Sequence, residues 1–212
     1  MIAEKSKEDR KALKFDLSKL PKYIAEYHAD KTNRGDFEYR TKSYKKAKKL
    51  LNQITHVNIH SPNEFLNFYE NIAKSYYSSG LLRGKKTLAK KYKTILSIFE
   101  IAQKNINNVV PKILFEKTLP MVKSVKGFGI NGLTELMNTY NPNKYSVANG
   151  RTIKSLSKLR IKTFSSQNTF DAETYEIYNN LITSIAKRCK FKNLGQVDHF
   201  LSWYYRTYVK TN

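Results

Sequence analysis

Apolar residues recur every three or four positions in segment after segment of this 212-residue chain, which places each set on one face of an α-helix. Phe37, Tyr44, Ala47, Leu51 and Ile54 make such a face over 37–54, with lysines between them turned to water. Ser61-Pro62-Asn63-Glu64 then has the form of a capping box, with Ser61 to accept from the first unpaired amides, Pro62 at the first helical position and Glu64 reaching back. The helix it opens carries Phe65, Phe68, Tyr69, Ile72 and Tyr76, and Gly80 supplies its left-handed stop. After Gly84 a third helix runs from Lys85 to Asn105 on Leu88, Tyr92, Ile95, Phe99 and Ala102, until Asn107-Asn108 and Pro111 end it. Further on, Asp171 precedes a helix of Tyr175, Tyr178, Leu181, Ile182, Ile185 and Cys189 whose basic end, Lys187-Arg188, suits a helix C-terminus. A last helix carries Val197, Phe200, Leu201 and Tyr204. No stretch alternates as a strand does and no internal repeat is present. The chain is therefore expected to be all-α, a compact bundle of about seven to nine helices. Its parts are a basic arm over 1–20, a lobe over 21–110 and a second over 111–212, the lobes forming one unit.

Composition narrows the partner. There are 39 Lys and Arg against 17 Asp and Glu, a net charge of +22, yet 40% of residues are hydrophobic and 13% aromatic. That is too rich in core formers for a disordered basic tail. Acids are absent from 39–63, 71–99 and 136–170, which carry six, seven and six Lys or Arg. The positive charge is thus regional, and a phosphate backbone, through counterion release, is the usual use for such a surface. No run approaches the roughly 18 apolar residues of a membrane span, and the N-terminus lacks the apolar segment of a signal peptide. The expectation is an intracellular protein, cytoplasmic or associated with the nucleoid, with no membrane partner. Cys189 stands alone beside four scattered histidines, which excludes an internal disulfide and a Cys/His zinc cluster; no metal or other cofactor is expected.

The most informative segment is Val125-Lys126-Gly127-Phe128-Gly129-Ile130-Asn131-Gly132, where three of the eight glycines fall within six residues. Glycines flanking a buried phenylalanine suit a turn that needs positive φ and brings bare backbone close to a partner. Leu133, Leu136 and Met137 then begin a new helix whose unpaired amides face outward, a position from which they bind phosphate oxygen without reading a base. Lys123 and Lys126 flank the turn as further phosphate contacts.

These residues resemble the helix-hairpin-helix motif, an apolar residue, a variable one, then Gly-apolar-Gly leading into a second helix. Twenty residues beyond Gly129 lies Asn149, within Tyr145-Ser146-Val147-Ala148-Asn149-Gly150-Arg151. That segment is similar to the one in helix-hairpin-helix DNA glycosylases that carries the catalytic aspartate before another helix. The resemblance covers residues 119–160. Together with the basic charge beside the turn and in the acid-free stretch 136–170, it leads to DNA contacts expected from Lys123, Lys126, Gly127, Gly129, Asn131, Gly132, Asn149, Arg151, Lys154 and Lys158. It also implies a loss of chemistry, because an amide at 149 cannot stabilise positive charge developing on the sugar. Ile130-Asn131-Gly132 stands where bifunctional members have a nucleophilic lysine, so no catalytic residue is assigned. A second resemblance, through Asn141-Pro142-Asn143-Lys144-Tyr145 and Gly195-Gln196-Val197-Asp198-His199-Phe200-Leu201, is to helical modules of modified-cytosine restriction and defence proteins, which would act with a separate nuclease or nucleotidase.

Other groups carry less. His28, His56, His60 and His199 read as surface or capping residues, and Asp198-His199 as neighbours that point about 100° apart on a helix. Asp171, Glu173 and Glu176 favour their helix N-terminus. Ser78-Ser79 and Ser165-Ser166 read as helix ends or loops. Tyr39, Tyr77, Tyr145 and Tyr205 are the tyrosines whose spacing leaves them able to reach a ligand. Three functions compete: a non-catalytic binder of DNA, duplex favoured; a divergent glycosylase-like base-excision enzyme using Asn149 or an unrecognised carboxylate; and an RNA- or ribosome-associated protein.

Overall fold

The computed structural model describes residues 15–54, 58–76 and 85–210. The first fourteen residues of the expected arm lie outside these, as do His56, Tyr77, Ser78-Ser79, Gly80 and Gly84. Among the described residues there are ten α-helices and no strand: α1 (Leu20–Ala29), α2 (Lys31–Asn52), α3 (Pro62–Ser75), α4 (Lys85–Ala89), α5 (Tyr92–Asn105), α6 (Pro111–Lys123), α7 (Gly129–Tyr140), α8 (Gly150–Lys158), α9 (Ala172–Arg188) and α10 (Leu194–Tyr204). A 3₁₀ turn spans Gln167–Thr169 and a π-helical turn, Tyr205–Val209, follows α10.

The all-α expectation holds and the helix count is higher than seven to nine. Part of the excess is α1, which begins where the expected arm ends and which the apolar spacing did not mark. The rest is the segment 85–105, which is two helices: the chain turns at Lys90-Lys91, with the Lys91 amide on Leu88 O at 2.9 Å. Tyr92 donates its hydroxyl to His60 O, so the start of α5 is tied to the loop before α3.

The starts of these helices follow local chemistry. Ser61 Oγ accepts from the Glu64 amide at 3.2 Å, while Glu64 Oε2 accepts from the His60 amide at 2.8 Å, one residue before the cap. Asp171 caps α9 through the Thr174 amide, and its two acids, Glu173 and Glu176, pair across the surface with Lys112. α2 begins six residues before the expected 37 because Asp30 caps it, accepting from both the amide and the hydroxyl of Thr32.

One apolar cluster runs through both lobes, from Leu20 on α1 to Tyr204 on α10. It is rich in rings: Phe115 stacks on Tyr175 with centroids 4.4 Å apart, and Tyr27 meets Phe191, Phe200 and Trp203 edge-on. His199 belongs to this core, 1% exposed; the surface reading of that histidine is overturned. Its Nδ1 lies 2.8 Å from the Tyr27 hydroxyl, and burial, with Arg40 and Arg206 adding, holds its pKa down to about 3. Tyr145 is likewise fully buried, its hydroxyl donating to Ile106 O and Val109 O, so it is not available to a ligand. Both residues have a polar group that the fold satisfies from the main chain or another ring, which hydropathy spacing does not register.

Candidate nucleic-acid interface

The turn between α6 and α7 is built by two apolar anchors. Val125 and Phe128 point inward, 3% and 5% exposed, and Phe128 meets the ring of Phe99 with centroids 6.1 Å apart. With those two drawn in, Lys126 and Gly127 between them are forced out, and both are exposed, as is Lys123. The turn closes through Ser124, whose amide bonds Pro120 O and Met121 O, and through the Val125 amide on Val122 O.

Gly127 has φ +97° and Gly129 φ +60°, both in the region that L side chains rarely enter. The positive φ expected of this pair is thus observed. Their surroundings differ. A Cβ on Gly127 would meet Leu88 Cδ2 of α4 at 3.6 Å, whereas one on Gly129 would meet nothing within 4 Å. The chain therefore leaves space over Gly129 that a side chain would fill. α7 starts there with Phe128 as its N-cap residue and no side chain accepting from its first turn, so the amides of that turn lack an intrahelical acceptor. Asn131 sits in this turn, half-buried, with its Oδ1 unpaired; Gly132 is buried within the helix.

α8 begins close by and is finished differently. Thr134 Oγ1 on α7 donates to Ile130 O at 2.9 Å and accepts from the Ala148 amide at 3.0 Å, linking the two starts. Asn149 caps α8: its Oδ1 accepts from the amides of Arg151 (3.0 Å) and Thr152 (3.1 Å), and Thr152 Oγ1 accepts from the Asn149 amide. Its Nδ2 donates to Asp198 Oδ1 at 2.8 Å, and the other oxygen of Asp198 takes Nη2 of Arg40 at 2.5 Å in a pair whose side chains are 7% and 6% exposed. Every polar atom of the Asn149 side chain is engaged inside the protein.

Beside this pair the Tyr44 hydroxyl donates to Glu135, a carboxyl whose pKa is raised by burial even though Arg40 and Tyr44 draw it down. An aspartate at 149 would place a third carboxylate here, against Asp198, which gives the amide at this position a physical reason. Sequence spacing found Asn149 and missed its partners, because Arg40 and Asp198 lie 158 residues apart and each reads as an ordinary charged residue on its own helix.

Arg151, Lys154 and Lys158 are exposed on one stripe of α8, three and four residues apart, while Thr152, Ile153, Ser155 and Leu156 face the core. Among the described residues no salt bridge joins these three, or Lys123 and Lys126, to an acid. Arg160 and Lys162 extend the basic edge, Arg160 with φ +59° at the end of α8. Of the tyrosines expected to reach a ligand, Tyr39 on α2 is 62% exposed and Tyr205 half-buried.

Among the described residues no group of three His, Cys, Asp or Glu side chains is placed to hold a metal ion, and no helix is long and apolar enough to cross a membrane. No protein-family model matches the chain, and neither a curated protein nor a solved structure matches it.

Proposed function

We propose that the chain is a non-catalytic DNA-binding protein that takes the phosphate backbone of a duplex at the start of α7 and along the basic stripe of α8. The observation that carries this reading is the pair of left-handed glycines, Gly127 and Gly129, which present an uncapped helix start behind an empty approach. Amides held this way bind a phosphate oxygen without reading sequence. Lys123 and Lys126 beside the turn, and Arg151, Lys154 and Lys158 on α8, add the long-range attraction. Asn149 contributes by fixing α8, since its side chain is occupied internally.

The base-excision reading needs a carboxylate near position 149. Asp198 is there, but Asn149 and Arg40 engage both of its oxygens, which supports a structural role for it. As a recognition module such a chain would deliver a nuclease or nucleotidase to DNA.

Titration of a duplex at increasing salt tests the proposal. With six or more phosphates neutralised, affinity should fall on the order of 10³-fold between 50 and 200 mM salt. A flat response would remove the polyanion reading, and preference for structured RNA over duplex at fixed salt would replace DNA with RNA.

A further inference from the structure

A second site lies on the other end of α7. Along one face of α2, Phe37, Arg40, Tyr44, Lys45 and Lys48 border a pocket of about 280 Å³ whose opposite wall includes Asn138 near the end of α7 and the start of α10. Gly195 keeps that wall thin: a Cβ there would lie 3.2 Å from Asn193 Oδ1 and 3.3 Å from Asn138 Oδ1.

Charge is divided by depth. At the floor one guanidinium, Arg40, faces two buried carboxyls, Asp198 and Glu135, so a further anion gains nothing there. At the rim Lys45 and Lys48 are exposed. Lys48 Nζ spends one donor on Tyr140 O at 2.6 Å, and an ammonium has three. The interior suits a neutral group and the rim an anion attached to it.

Size and shape narrow the neutral group. The volume falls just under the roughly 300–1,000 Å³ of pockets for drug-sized ligands, so one small ring system fits. Phe37, half-buried, borders the space from α2, and aromatic side chains are the usual platforms for flat heterocycles; the Tyr44 ring two turns on already carries the Arg40 guanidinium, 5.0 Å from its centroid, and closes the depth of the pocket. Asn138, at its far side, is buried and donates Nδ2 to Tyr145 O at 2.6 Å, so its amide fixes the wall of the pocket.

We infer that this pocket takes one unpaired nucleobase, stacked against Phe37, with its phosphate on Lys45 and Lys48. The choice of ligand rests on the nucleic-acid reading above, and the occupant is either a base in a strand or a single nucleotide.

The test uses the fluorescence of 2-aminopurine placed in a single strand, in a fully paired duplex and in the free nucleoside monophosphate, titrated with the whole chain. Quenching in the single strand with none in the paired duplex supports the pocket, and quenching of the monophosphate as well shows that it accepts a free nucleotide. Phe37→Ala should weaken the quenched complex about five- to 100-fold, the range found for losing one stacked base, and Thr41→Phe should abolish it by filling the space, while paired-duplex affinity stays within two-fold. Lys45→Glu, at an exposed position, should weaken monophosphate binding even if Thr41→Phe fails to fold. Parent protein that binds every strand without quenching, or variants that quench as the parent does, would overturn the pocket and leave the backbone interface standing. Quenching of the monophosphate with no affinity for any oligonucleotide would keep the pocket and remove the nucleic-acid reading.

Discussion

α7 and α8 start within reach of one side chain, Thr134, and their first turns are finished in opposite ways. α8 is sealed: Asn149 takes two of its amides and is itself held by Asp198 and, through it, Arg40. α7 is open, with no side-chain cap and a left-handed glycine as its first residue. A helix start left uncapped forgoes about 1 kcal/mol, and here the neighbouring helix shows that the chain has the means to cap one. On the proposed reading, the open start is the place for a partner's phosphate and the sealed start the place for the fold's own polar groups.

The sealed side breaks most severely at its anchor. Asp198→Asn removes the one carboxylate that pairs directly with Arg40 and leaves that buried guanidinium only Glu135, reached through Tyr44, which should cost about 3–5 kcal/mol in urea unfolding; a loss under 1 kcal/mol would mean that the pair is not buried in solution. Asn149→Asp keeps the capping oxygen but sets a carboxylate against Asp198. It should destabilise by about 2–3 kcal/mol at pH 7 and yield no base release from duplexes carrying uracil or oxidised guanine. Equal stability of parent and Asn149→Asp at pH 7 would sink the account of why an amide stands there.

Acid should loosen the same side more gently. His199 neighbours Asp198 on α10, and its pKa is about 3 in the fold against 6.5 for an unperturbed histidine. The unfolded chain therefore binds the proton first, and stability should fall by about 1.4 kcal/mol for each pH unit below 6.5. Glu135 works the other way: its raised pKa means that the folded chain takes up its proton first, which adds stability as pH falls through its range. Replacing His199 with Gln should flatten the decline between pH 6.5 and 5, where the histidine dominates; an unchanged slope would show that His199 is already protonated in the fold.

How much of this was legible in the sequence depended on whether the physics was local. Apolar spacing gave the buried faces of α3, α5, α9 and α10, and the caps Ser61 and Asp171 could be read from residues within three positions. The left-handed glycines were legible because few other residues occupy that conformation. The start of α2 was not, since 31–36 lacks apolar residues and the signal lay in Asp30 and Thr32. Arg160 and Lys190 end α8 and α9 with positive φ where glycine is the usual choice, so those ends carried no mark. The buried polar groups were the least visible: Arg40, Asp198 and Asn149 meet only through tertiary packing, and the spacing of Tyr145 carries no mark of the two carbonyls that hold its hydroxyl.

The comparison is tested most directly by duplex affinity at fixed salt for variants on its two sides. Gly129→Asn retains a residue that tolerates positive φ while placing a side chain in the open approach; Gly129→Val adds strain as well; Gly127→Ala and Gly132→Ala test the turn and helix without entering that space. Melting measured for each separates folding from binding. If α7 holds phosphate, Gly129→Asn should fold and lose about ten-fold or more in affinity with a salt slope smaller by about one, whereas Asn149→Ala, which loses the cap and unpairs Asp198 Oδ1, should lose about 2–4 kcal/mol of stability and, while folded, bind within two-fold of the parent. Folded Gly129 variants that bind duplex as well as the parent, beside an Asn149→Ala that does not, would contradict the account.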